Sequence, residues 1–199
     1  LSGMGYLDGM GNPLYRDYHP RHKLSRTGYA NMTNRLIERA RDVHGACGTE
    51  CGFLYCALAA DSVVTGGSPH HWDACWADWP VTQLMDKRVP LYRLALSGLV
   101  FQECQRPRWS SVMESVLLGL HPRDEWAEHP GPMPLLTDKR IAQLKGVYDI
   151  ALKRFGHLQA EEVLTWKDED GVETTTFADG TEVVADFPNE RLVVNGETV

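Results

Sequence analysis

The chain has no apolar run approaching the roughly 20 residues that a bilayer-spanning helix needs. Its most apolar stretch extends only from Val89 to Phe101 and contains Pro90 and Arg93, so no membrane is expected as a partner. A basic cluster is also missing. With 20 Lys and Arg against 27 Asp and Glu, the net charge is −7; nucleic-acid backbones are bound mainly by cations that neutralise phosphates, which sets nucleic acid aside. Cysteines number five, at 47, 51, 56, 75 and 104, an odd and irregular set that excludes a disulfide scaffold and leaves mostly free thiols. Neither His44, Cys47 and Cys51 nor His70, His71 and Cys75 has a recognised zinc-ligand spacing, so neither metal nor cofactor is expected. Leu1 opens neither a signal peptide nor an initiation site, and nothing in the sequence points to a compartment or an oligomeric state.

What is present is a globular chain. Its 43% hydrophobic content over 199 residues supports one sizeable core, or one domain with part of another. The stretch Gly3-Met4-Gly5-Tyr6-Leu7-Asp8-Gly9 reads as a short buried strand that ends on a carboxylate and a glycine. A second such place follows, where Gly45-Ala46-Cys47-Gly48-Thr49-Glu50-Cys51-Gly52 runs small residues up to an acid. Between them, Met32, Leu36, Ile37, Ala40 and Val43 recur at helical spacing. Strand, acid, helix, strand, acid is the repeat of a (β/α)8 barrel, whose reactive groups sit at the C-terminal ends of its strands. Asp8 and Glu50 are therefore the leading catalytic candidates. The competing reading is that Asp8 caps a turn and Glu50 is a solvated loop acid.

Between Gly11 and Ser25 lies a loop long enough to be functional. It is expected to fold over the cleft, with His22 or Arg26 directed toward Asp8; Tyr6, Tyr18, His22 and Arg26 are the candidate substrate contacts. Phe53 to Ala60 fits either a strand or a buried helix. Within Ser62 to Pro80, Trp72, Trp76 and Trp79 either stack on sugar rings or pack a long loop. Val89 to Phe101 is expected to form a strand region leading to Glu103, and Trp109 to Leu120 a helix. From Thr137 as N-cap to Phe155 a helix is expected to lay its apolar stripe on the barrel, with Gly156 as its stop. Beyond Gly156 the apolar period shortens to two. Four strands (162–166, 172–177, 181–187 and 191–194), separated by Asp170-Gly171, Asp179-Gly180 and Pro188-Asn189, read as an antiparallel meander needing cover from another sheet or a neighbouring domain.

Tyr6-Leu7-Asp8-Gly9, then Tyr18, His22 and Arg26, Gly48-Thr49-Glu50, Val89-Pro90-Leu91-Tyr92 and Thr176-Phe177-Ala178-Asp179-Gly180-Thr181-Glu182-Val183-Val184 carry a resemblance. Together they resemble the endo-α-N-acetylgalactosaminidase-like retaining glycoside hydrolases and their uncharacterised relatives. The resemblance implies the C-terminal half of a catalytic TIM-type barrel over 1–156 and the start of a β-sandwich over 157–199, a fragment of a longer protein. It implies that Asp8 is the nucleophile ending the fourth barrel strand and Glu50 the acid/base after the fifth, acting on a carbohydrate. Ala95-Leu96-Ser97-Gly98 departs from the pattern by lacking polar residues at the next strand end. Asp8 would stay ionised, and Glu50, flanked by cysteines and glycine, would sit in a less solvated place suited to an acid. The alternatives are a non-catalytic carbohydrate-binding or degenerate barrel, and another barrel hydrolase, including a metal-dependent one.

Overall fold

Ser25 starts the first helix: its hydroxyl accepts from the backbone N–H of Gly28 at 3.0 Å, satisfying one of the donors a helix N-terminus leaves open. In the computed structural model, which describes residues 3–11, 14–50, 52–64, 89–105, 109–123 and 137–199, two units are distinguished, Leu1–Gly66 and Gly67–Val199.

In the first unit, β1 (Gly3–Leu7), α1 (Arg26–His44), β2 (Gly45–Glu50), α2 (Leu54–Ala57) and β3 (Ser62–Val64) follow in order. The three strands are parallel, β1 beside β2 and β2 beside β3. α1 passes into β2 without a linker because Gly45, at φ 90°, turns the chain at the helix C-cap. A side chain at Gly5 would meet His44 Cδ2 at 3.0 Å and Ala40 Cβ at 3.5 Å. Glycine there lets α1 lie close on β1. Ile37 and Thr33 of α1, and Cys47, Thr49, Val63 and Val64 of the strands, are buried. Cys47 is a free thiol whose pKa is pushed up, first by burial and then by the Asp61 carboxylate. At the other end of the strands from Glu50, Asp61 accepts from Cys47 N–H at 2.9 Å and from Arg41 Nε at 3.0 Å.

The second unit holds α3 (Leu91–Leu96), β4 (Phe101–Gln105), α4 (Trp109–Leu118), β5 (His121–Arg123), α5 (Asp138–Val147), a π-helical turn (Tyr148–Arg154), a 3-10 turn (Gly156–Ala160), and strands β6 (Val163–Glu169), β7 (Val172–Phe177), β8 (Glu182–Asp186), β9 (Arg191–Val194) and β10 (Glu197–Thr198). β4 and β5 are parallel. β6 to β10 form an antiparallel sheet in sequential order. Its hairpins turn at Asp170-Gly171 and Asn195-Gly196, where all four residues have positive φ, as type I′ turns require. The inner face of the sheet is covered by helix: Met113, Val116 and Leu117 of α4 and Phe155 and Leu158 pack with Phe177, Val183, Ala185 and Leu192 in one core. Gly119 ends α4 at φ 63°, and a side chain there would lie 2.4 Å from the Leu158 carbonyl oxygen.

The chain is thus α/β, parallel strands with helices followed by an antiparallel sheet. Several local expectations are corrected. The middle of the apolar run after Val89 is the helix α3 and the strand begins only at Phe101, because a short apolar run fits strand and buried helix equally by period. Ser62–Val64 is a strand, as is His121–Arg123, and Phe53 to Ala60 resolves to the short helix α2. The stripe from Ile141 does not pack along its length: α5 has no buried residue, and burial begins with Ala151 and Phe155. Gly156 does not stop that segment but opens the 3-10 turn.

Candidate active site

β1 and β2 run in register from Gly3 opposite Gly45 to Leu7 opposite Thr49. Asp8 and Glu50 each follow that last rung by one residue, at the C-terminal edge of adjacent strands about 4.8 Å apart. The faces of these strands are set by the glycines. Gly5 looks onto α1, whereas a side chain at Gly48 would meet Met4 Cε and Tyr6 Cδ2 at 3.3 Å and Ser62 Cβ at 3.5 Å. Alternation along the strands puts Met4 and Tyr6, and Glu50 with Gly48, on the face turned away from α1, and Asp8 follows in the turn after β1. In a barrel that face is the lumen. Met4 and Tyr6 are 49% and 42% exposed. Asp8 is exposed and Glu50 half-buried.

Three long-range hydrogen bonds lock these strand ends together. Thr49 Oγ1 donates to the Leu7 carbonyl at 3.0 Å, Phe53 N–H to the Gly11 carbonyl at 3.0 Å, and Tyr55 Oη to the Met10 carbonyl at 2.8 Å. The loop after Asp8 lies so close to β2 that a Cβ on Gly11 would fall 2.3 Å from the Glu50 carbonyl oxygen. Tyr55 is held in turn by α1, since Asn34 Nδ2 donates to its carbonyl at 3.0 Å. Its phenol is pushed up to about 12, mainly by burial and then by the neighbouring Cys56. Sequence reasoning missed Gly11, Thr49 and Tyr55. The hydroxyl beside an acid in Gly48-Thr49-Glu50 was the one local signal.

The other candidates are placed as follows. Tyr6 is on the face turned away from α1, beside Gly48. Tyr18 is exposed on a loop closed by the backbone pairing of Asp17 with Leu24. His22 stacks on His19, with ring centroids 5.2 Å apart, and Arg26 opens α1 with an exposed side chain. Among the described residues, no hydrogen bond or ion pair joins His22 or Arg26 to Asp8: the loop pairs with itself instead. Trp72, Trp76, Trp79, His70, His71, Cys51 and Cys75 lie outside the described residues. Among those described, no three His, Cys, Asp or Glu side chains gather in a way that could hold a metal, and no helix is long and apolar enough to cross a membrane.

This arrangement of parallel strands, helices and antiparallel sheet is a glycoside hydrolase-like fold, as comparison with solved structures shows. The chain is similar to the α-N-acetylgalactosaminidase NagBb from Bifidobacterium bifidum. Against its GalNAc complex the TM-score is 0.72 at 21% identity, covering 96% of this chain and 31% of that one. Against its Gal-NHAc-DNJ complex the TM-score is 0.70 at 22% identity, with the same coverage, and against a quadruple mutant it is 0.68 at 18% identity, covering 96% and 30%. The chain therefore spans about a third of the length of the structures it matches. No protein-family model matches it, and no curated protein matches it in sequence.

Proposed function

We propose that this chain carries the catalytic pair of a retaining glycoside hydrolase, with Asp8 as nucleophile and Glu50 as acid/base. The observation that supports the reading most is the register: Asp8 and Glu50 follow the same rung of adjacent parallel strands. Retention calls for carboxyls about 5 to 5.5 Å apart, and neighbouring strands are spaced for that.

In the first step the Asp8 carboxylate attacks the anomeric carbon, while Glu50, as the carboxylic acid, gives its proton to the departing glycosidic oxygen. A glycosyl ester on Asp8 results. Glu50, now a carboxylate, then takes a proton from water as the water oxygen attacks the same carbon, releasing Asp8 and restoring the acid. The likeness to NagBb supports an α-linked N-acetylgalactosamine as the sugar cleaved. Tyr6 would line the sugar, and Tyr18, His22, Arg26, Trp72 and Trp76 would contribute once substrate is bound. On this reading residues 1–156 belong to the barrel and 157–199 to the domain that follows it.

The test uses the full-length protein that contains this chain. Asp8→Ala should abolish turnover of an aryl α-N-acetylgalactosaminide. Glu50→Ala should be slowed in releasing sugar from the enzyme, and azide should restore it by attacking the glycosyl ester without a general base. Full activity in either variant contradicts the assignment.

A further inference from the structure

Within the second unit, behind β4, three polar side chains are sealed from solvent: Arg93 of α3 at 4% exposure, Gln102 of β4 at 3% and Glu114 of α4 at 1%. Gln102 Nε2 donates to the Arg93 carbonyl at 2.9 Å, which brings its amide to the base of α3. Arg93 Nε lies 3.9 Å from Glu114 Oε1, too far for a hydrogen bond. Among the described residues, Arg93 Nη1 and Nη2, both carboxyl oxygens of Glu114 and Gln102 Oε1 have no hydrogen-bond partner. Two charges withdrawn from bulk water are not compensated by attraction at this distance alone; they need their remaining donors and acceptors satisfied.

We infer that Arg93, Gln102 and Glu114 enclose ordered water that completes the ion pair. The chemistry of the cluster selects that ligand. An anion is opposed by Glu114 and a metal cation by Arg93, whereas the cluster presents donors and acceptors together, which suits a small neutral molecule able both to accept and to donate. Water accepts from Arg93 Nη1 or Nη2 and donates to Glu114 or to Gln102 Oε1, making about three hydrogen bonds, as buried waters do. The bridge ties β4 to α3 and α4 from the side of the strand opposite Glu103. It is independent of the carboxylate pair proposed above, which lies in the first unit.

A high-resolution crystal structure of the full-length protein tests this. Density for water within about 3.2 Å of both Arg93 and Glu114 is expected; a direct Arg93–Glu114 contact at about 2.8 Å, with no water between, overturns the inference. Variants give a second readout. Arg93→Met or Glu114→Leu alone strands the opposite charge, and each should lower Tm by about 10 °C. The double variant, which removes the need for water, should recover most of that loss. A double variant that melts lower than either single, by the sum of their losses, also overturns it.

Discussion

Thr49 Oγ1 donates to the carbonyl of Leu7 at 3.0 Å, so the residue before one candidate acid is bonded to the residue before the other. The register of β1 on β2 places Asp8 beside Glu50, and this hydroxyl fixes the last rung from which both acids depart. Positioning of this kind matters because displaced reacting groups lose rate steeply.

Thr49→Val keeps the shape and removes that bond. With the Leu7 carbonyl losing its partner, the variant should be less stable by about 1–2 kcal/mol in urea denaturation. On the proposed mechanism, kcat of the full-length protein should fall more than KM rises, since the Thr49 side chain positions the acids.

Gly11→Ala tests how closely the loop after Asp8 lies on β2. The added methyl falls 2.3 Å from the Glu50 carbonyl oxygen, a backbone atom with little freedom to move. Overpacking there should cost about 1–3 kcal/mol and displace Glu50, read as a lower denaturation midpoint together with reduced turnover. Wild-type values in both would contradict the close approach.

Tyr55 predicts an alkaline signature. Its phenol is held up to about 12, above the value near 10 of an unfolded chain, so the folded state binds this proton more tightly. The stabilisation is therefore complete below pH 10 and is lost as pH rises toward 12. Spectroscopic titration should show a tyrosine step near pH 12, and Tyr55→Phe should remove that step and flatten the alkaline loss of stability.

Met113, fully buried in α4, stands where helix covers the antiparallel sheet. Met113→Ala should cost about 2–5 kcal/mol. A loss below 1 kcal/mol, or a change confined to exposed α5, would mean that α4 does not form the cover.

The sequence made α1 legible because Met32, Leu36, Ile37, Ala40 and Val43 recur at helical spacing, although its Ser25 cap and Gly45 stop went unread. The meander was legible because the apolar period shortens to two and Asp170-Gly171 is a hairpin dipeptide with the left-handed backbone its turn needs, whereas β10 beyond Asn195-Gly196 was not expected. β5 escaped notice because His121-Pro122-Arg123 has no strand character of its own and, among the described residues, pairs through β4. The helix expected from Thr137 to Phe155 is present with Thr137 as its cap, but it changes from α to π geometry at Tyr148. From there the bonds widen, with Phe155 N–H reaching the Ile150 carbonyl, and the stripe turns away from where Ile141 would have packed. Asp8 and Glu50 stood out because each ends a run of small or apolar residues. The groups that tie their strands together did not, since Thr49 meets Leu7 and Tyr55 meets Met10 across 42 and 45 residues, separations that no local pattern encodes.

The most direct measurement is to trap the glycosyl-enzyme. Full-length protein treated with a fluorinated α-N-acetylgalactosaminide, whose intermediate hydrolyses slowly, should gain the mass of one sugar, and digestion should locate it on the peptide carrying Asp8. The adduct should still form slowly in Glu50→Gln and not at all in Asp8→Asn. Sugar attached to another carboxylate, or turnover that inverts the anomeric centre without an adduct, would contradict the account.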